Sequence, residues 1–306
     1  MIALSYKSTH YATIALKVLV LGLTAWYLVY AFGQLSSISW QQFQIGLDKL
    51  SGLSLTLICM LSLLNWLLEF KKWKLLASIL RPMNFWEAAK QSLISFSLSI
   101  ATPNRLGEYP VKALFFPKAS LKKVLWLNLG GNMAQLLVTL ILGLGGLLYM
   151  GSVLPIDTLT VAFLALLLTV GSLAAFYLLK AKSPQGTLLF KRYPLRAIQV
   201  LLLAVSRYSC FGLAFALLLG SLSGHPMSAE LLALTTCYYL LISIVPTWLV
   251  LDVVVKGGTA VWLFSWIGLE PLAVMTAVLI MWLLNYLLPA LAGAGLFGLQ
   301  PIGRYD

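Results

Sequence analysis

The sequence predicts an all-α integral membrane protein with six transmembrane helices and two re-entrant helical hairpins arranged as an inverted repeat. Three observations carry this expectation. Hydrophobic residues make up 60% of the 306 positions and the mean hydropathy is +0.93, more apolar surface than a soluble core of this size hides. Six apolar runs reach the ~20 helical residues needed to cross a hydrocarbon core about 30 Å thick. The stretch SIATPNRLGEYPVK, residues 99–112, is answered 144 positions later by SIVPTWLVLDVVVK, residues 243–256, with Ser99/Ser243, Ile100/Ile244, Glu108/Asp252 and Lys112/Lys256 in register.

In chain order, the first span is expected near 11–33. Lys7 precedes it, no small-residue cleavage site follows, and the run is longer than a signal-peptide core, so it reads as an uncleaved span. The second lies near 52–70. Residues 84–117 are apolar but broken near Pro103, which proline chemistry favours as a helix interruption. A third span follows at 121–149. The order then repeats, with spans near 158–180 and 196–221, a segment at 228–268 broken near Pro246, and a last span at 271–298. Residues 1–150 and 151–306 thus form two repeats within one membrane domain.

Charge distribution decides how the broken segments sit. If both turn back, Lys7, Lys71, Lys72, Lys74, Arg81, Lys90, Lys118, Lys122, Lys123, Lys180, Lys182, Lys191, Arg192, Arg196 and Arg304 share the cytoplasmic side, while the opposite loops hold only Lys49. That asymmetry obeys the positive-inside rule. A crossing by the first segment would move Lys118, Lys122 and Lys123 outside. Both termini are therefore expected in the cytoplasm. Each repeat contributes three crossings, so the second enters from the opposite face, and the two hairpin tips meet near the midplane. The net charge of +12 follows from topology rather than nucleic-acid binding, because the basic residues cluster beside apolar spans. Cys59, Cys210 and Cys237 are scattered among apolar residues and suggest packing, not a disulfide or metal framework.

Ionisable groups inside apolar segments are costly and mark a working centre. Broken backbone at membrane depth must line protein or a wet cavity, and a half-helix beginning there favours an anion. Arg105 adds a guanidinium that grips phosphate in a fork. If the helix starts at 104, Asn104, Arg105, Glu108 and Lys112 share one face. If Pro110 is its first position, Glu108 sits on unwound backbone. Asp252 and Lys256, at i, i+4, face the same way. Both acid–lysine pairs equally suit a structural role, neutralising one another so that buried backbone is tolerated. Arg207 lies near the centre of its span and is expected to pair with Glu108 or Asp252, whereas Glu69, beside the Lys71 cluster, reads as an interfacial ion pair and Lys17 as a snorkelling residue. Asn65, Asn128, Asn132 and Asn285 suggest interhelical hydrogen bonds. No catalytic signature, P-loop or metal-ligand spacing is present in the sequence, so neither an enzyme nor a cofactor is expected.

Around TPNRLGEYPVKALFF the chain resembles the flippase-like, lysylphosphatidylglycerol synthase transmembrane-region family, through a P-x-x-x-G-E core followed by a basic residue: Pro103, Gly107, Glu108 and Lys112. The second half keeps a proline and an acid but moves the family's glycines to Gly257 and Gly258. The resemblance implies a multi-pass protein of the bacterial cytoplasmic membrane that moves polar lipids between leaflets. Three functions suit the sequence: a translocase whose partner is an anionic or zwitterionic membrane lipid bound through Asn104, Arg105, Glu108, Lys112, Arg207, Asp252 and Lys256; a secondary carrier of small anions; or a non-transporting membrane partner of a separate lipid- or glycan-modifying enzyme.

Overall fold

A computed structural model describes residues 44, 46–100, 102, 105–151, 192–244 and 251–299. The expected spans near 11–33 and 158–180, and Lys17, Pro103, Asn104 and Pro246, lie outside these. Among the described residues the regular structure is entirely helical. The helices are α1 (Gly52–Ala77), α2 (Phe85–Ser99), α3 (Glu108–Ala113), α4 (Leu121–Tyr149), α5 (Pro194–Ser223), α6 (Ala229–Ile244), α7 (Leu251–Phe264), α8 (Pro271–Trp282) and α9 (Leu288–Leu299). A short 3₁₀ turn, Lys118–Ser120, leads into α4, and α8 and α9 join through a π-helical turn, Leu283–Leu287. Four helical units are long and apolar enough to cross a membrane: Gly52–Ala77, Lys118–Tyr149, Pro194–Ser223 and Pro271–Leu299. They coincide with four of the six expected spans. Their outer faces expose large apolar side chains, such as Leu53, Met60 and Leu63 on α1 and Ile141 and Leu148 on α4, a distribution that makes lipid the natural solvent.

Helix ends follow local chemistry. Ser51 accepts the Ser54 amide at 3.1 Å to cap α1, and Asn84 accepts the Glu87 amide at 2.7 Å to cap α2, satisfying amides that the first turn leaves orphaned. Pro194 and Pro271 open α5 and α8, where a missing N–H costs nothing. Gly224 stops α5 in the left-handed conformation, at φ 70°. Pro289 lies inside the last helical unit and can donate no amide; the π turn immediately before it absorbs the mismatch.

The first broken segment is interrupted between Ser99 and Glu108, and the second contributes one helix on either side of residues 245–250, which lie outside the described residues. Each is a pair of short helices, α2 with α3 and α6 with α7, packed against one another. Ser99 and Ser243, the register-matched serines, close α2 and α6 in the same way: each hydroxyl donates to the carbonyl three residues back, Phe96 O at 2.8 Å and Leu240 O at 2.7 Å. The two short first helices also dock reciprocally, α2 on α9 and α6 on α4. Glycine makes both contacts possible. A Cβ on Gly293 would sit 2.9 Å from Ser97 Cβ and collide with the Leu93 carbonyl, and one on Gly143 would sit 2.5 Å from Leu240 Cβ. Close backbone approach of this kind is how helices associate where water supplies no driving force. α1 and α5 pack along each other and complete the frame.

The break after α2 has its own architecture. Thr102 donates to Ser99 O at 2.6 Å and accepts the Gly107 amide at 2.8 Å. Gly107 is confined here, since a Cβ would lie 2.9 Å from the Thr102 methyl. Arg105, between them, has φ 55°, the one left-handed non-glycine among the described residues. α3 begins at Glu108, neither at 104 nor at Pro110; Pro110 falls within its first turn, where proline is tolerated.

Candidate functional site

The two pairs of short helices and the long helices line a cavity of about 650 Å³ that runs from α1 to α8, within the size range of small-ligand pockets. Arg105 and Glu108 beside the first break, Asp252 and Lys256 of α7, and Arg207 of α5 all line it. Residues separated by 147 positions, Arg105 and Asp252, therefore face one space.

One wall is ionic. Glu69 of α1 is its hub: Lys72 Nζ lies 2.7 Å from Oε2, Lys112 Nζ 3.9 Å from Oε1, and Arg207 Nη1 donates to Oε2. Arg207 Nε also donates to Asn65, at 3.0 Å to the side-chain oxygen and 3.3 Å to the backbone carbonyl. The expectation that Arg207 pairs with Glu108 or Asp252 is corrected: packing of α5 along α1 brings it to Glu69. Glu69 does form an ion pair within the basic cluster, with Lys72, but its side chain is buried in the protein rather than exposed, because helical spacing turns it inward with Lys72 while Lys71 remains exposed.

Glu108 and Lys112 form the expected i, i+4 pair at 2.6 Å. Lys112 is 1% exposed and does not line the cavity; it stands behind the wall, donating to Asn128 at 2.9 Å and lying 4.4 Å from the Trp73 ring. That environment holds α3 against α1 and α4. Asn132 donates to Tyr109 Oη at 2.9 Å, a second tie between α3 and α4. The second pair, Lys256 Nζ to Asp252 Oδ2, is also 2.6 Å long.

A second part of the lining is aromatic. Phe211 and Phe215 of α5, Tyr238 and Tyr239 of α6, and Trp282 and Tyr286 of the last helical unit form it. A line of rings links the first break to α7: the Arg105 guanidinium stands 4.9 Å over Phe96, Phe96 meets Tyr286 edge-on at 5.3 Å, and Lys256 Nζ lies 5.9 Å from Tyr286. Such cation–ring contacts hold a charge in place without neutralising it. The π turn aims Asn285 across to α1, where it accepts from Asn65 at 3.0 Å and donates to Ser62 at 3.1 Å. Of the four asparagines, Asn65 and Asn285 thus bond between helices as expected, and Asn128 and Asn132 bind α3 to α4. Cys210 and Cys237 are buried as expected, but Cys59 is exposed on α1. Among the described residues no cluster of acids, histidines and cysteines is arranged to hold a metal.

What the arrangement can do chemically follows from its two faces. Guanidinium and ammonium groups bind an anionic head, and rings accept apolar or carbohydrate-like surface. Compared with known sequences, the chain matches no protein-family model and no curated protein.

Proposed function

We propose that the chain is a lipid translocase that moves a polar lipid, a phospholipid or an isoprenoid phosphate, between the leaflets of a bacterial cytoplasmic membrane. The observation that carries the reading is a cavity in which cationic and aromatic side chains meet, lined by residues from both short-helix pairs. An amphiphile needs both surfaces at once: the head engages Arg105 and the ionic wall while the tail leaves through apolar surroundings. Glu108 and Asp252 occupy the first turns of α3 and α7, so side-chain cations rather than helix ends supply the positive charge.

The full arrangement in this reading is six spans and two re-entrant hairpins related as an inverted repeat, with both termini cytoplasmic. Support comes from the reciprocal docking of α2 on α9 and α6 on α4, the matching hydroxyl bonds of Ser99 and Ser243, and the loop-charge asymmetry. Rocking one repeat against the other would expose the cavity to each leaflet in turn. The resemblance to the flippase-like family points the same way through Gly107 and Glu108.

The test is exchange of acyl-labelled lipids in vesicles holding the purified full chain, read by quenching of outer-leaflet label. Accelerated exchange of at least one anionic lipid over protein-free vesicles is expected. Rates equal to the protein-free control for phosphatidylglycerol, phosphatidic acid and a polyprenyl phosphate overturn the reading.

A further inference from the structure

The charges around the cavity do not balance. Arg105, Lys72, Arg207 and Lys256 line it and Lys112 abuts it, giving five cations. Three carboxylates, Glu69, Glu108 and Asp252, face them, and these are the acids at the cavity among the described residues. Two positive charges remain in excess. Their distribution is uneven. Lys72, Lys112 and Arg207 share Glu69 and Glu108, and Lys256 holds Asp252. Arg105 makes no ion pair within 4.0 Å among the described residues and is instead propped on Phe96.

Arg105 is also held there at a conformational cost. Its φ of 55° belongs to the left-handed region, which a side chain other than glycine, asparagine or aspartate seldom adopts. The Thr102–Gly107 bond closes the turn around it. A strained, charged residue that faces a cavity and has no carboxylate within ion-pair distance among the described residues is a natural ligand contact. Excess charge in a low-dielectric setting calls for a counter-anion of matching valence.

We infer that the cavity is matched to a phosphomonoester dianion, with Arg105 as the residue that engages its terminal oxygens. Phosphate monoesters carry about −1.5 to −2 charges at neutral pH, whereas a phosphodiester carries one and a zwitterionic head none net. The monoester neutralises the excess; the others leave part of it standing. Its three terminal oxygens suit the planar guanidinium fork. The same chemistry is presented by a lipid monoester or by free phosphate. As a lipid the inference deepens the translocase reading and rests on it.

The test uses the detergent-purified full chain and native mass spectrometry. Dioleoyl phosphatidic acid and dioleoyl phosphatidylglycerol share their tails and differ in head charge. Phosphatidic acid is expected to bind at least about tenfold more tightly, and Arg105→Gly, which fits the left-handed turn, to erase that preference while the protein stays folded. Equal binding of the two lipids overturns the inference, and so does a preference that survives in Arg105→Gly. Inorganic phosphate is the third arm. Displacement of phosphatidic acid by inorganic phosphate at matching concentrations keeps the monoester class and assigns it to a free solute, which counts against lipid as cargo. Lipid exchange in vesicles separates the two readings further: exchange without a monoester preference sinks this inference alone, and a preference without exchange sinks translocation alone.

Discussion

Replacing Glu69 with Gln removes the hub of the ionic wall without changing side-chain volume. In the native arrangement one carboxylate faces Lys72 at 2.7 Å, Lys112 at 3.9 Å and Arg207 through a direct hydrogen bond. The loss falls unevenly. Lys112 retains Glu108 and Asn128, and Arg207 retains two bonds to Asn65. Lys72 retains nothing comparable: its ammonium is buried, and Glu69 is its partner among the described residues. Breaking a buried pair from one side costs about 3–5 kcal/mol, because the remaining charge is uncompensated. At roughly 2 °C per kcal/mol for a chain this long, the apparent melting temperature should fall by about 6–10 °C. The assay is thermal unfolding of detergent-purified protein, with Lys72→Met made alone and in combination. Since the double variant removes both charges, it should recover part of the loss, giving a coupling of about 1–3 kcal/mol. A decrease under about 2 °C for Glu69→Gln, or additive single effects, would refute the claim that this network is buried and mutually dependent.

Three further outcomes follow from the geometry. Gly293→Ala should cost about 3 kcal/mol or more, since the new methyl meets the Leu93 backbone and cannot be accommodated by rotamer change, whereas Gly295→Ala, where a Cβ meets nothing within 4 Å, should stay within about 1 kcal/mol of the parent; melting of both variants decides. Arg105→Gly relieves left-handed strain of about 1–2 kcal/mol against a glycine entropy cost of about 0.5–1 kcal/mol, so its melting temperature should be unchanged or slightly higher while lipid exchange is lost. Asn285→Leu deletes the bonds to Asn65 and Ser62 and leaves the Asn65 amide without its acceptor, a loss of about 1–3 kcal/mol visible as a lower melting temperature.

Much of the site was legible because its signals are local. Glu108 with Lys112 and Asp252 with Lys256 are four residues apart, and any helix carries such residues on one face. Proline and glycine marked the first break for the same reason, although the start of α3 at Glu108 was set by the Thr102–Gly107 closure rather than by Pro110. The ion pair of Glu69 with its basic neighbours was legible, but not its burial, because Lys71 and Lys72 point in different directions: Lys72 turns into the cavity and Lys71 away. Its bond to Arg207 spans 138 positions and exists only because α5 lies along α1. The aromatic wall carried no sequence signal, since Trp and Tyr in an apolar chain read as an interfacial belt.

By itself, then, the sequence determined a helical protein with membrane-compatible spans, the interruption after α2 and the two acid–lysine pairs, because hydropathy, proline geometry and i, i+4 spacing act over a few residues. Tertiary structure decided which charges meet. It seated Arg207 on Glu69, placed Lys112 behind the wall, and left Arg105 facing the cavity over Phe96. Those outcomes depend on how α1, α5 and the two short-helix pairs pack, and packing at glycine contacts such as Gly143 and Gly293 is a property of two surfaces at once.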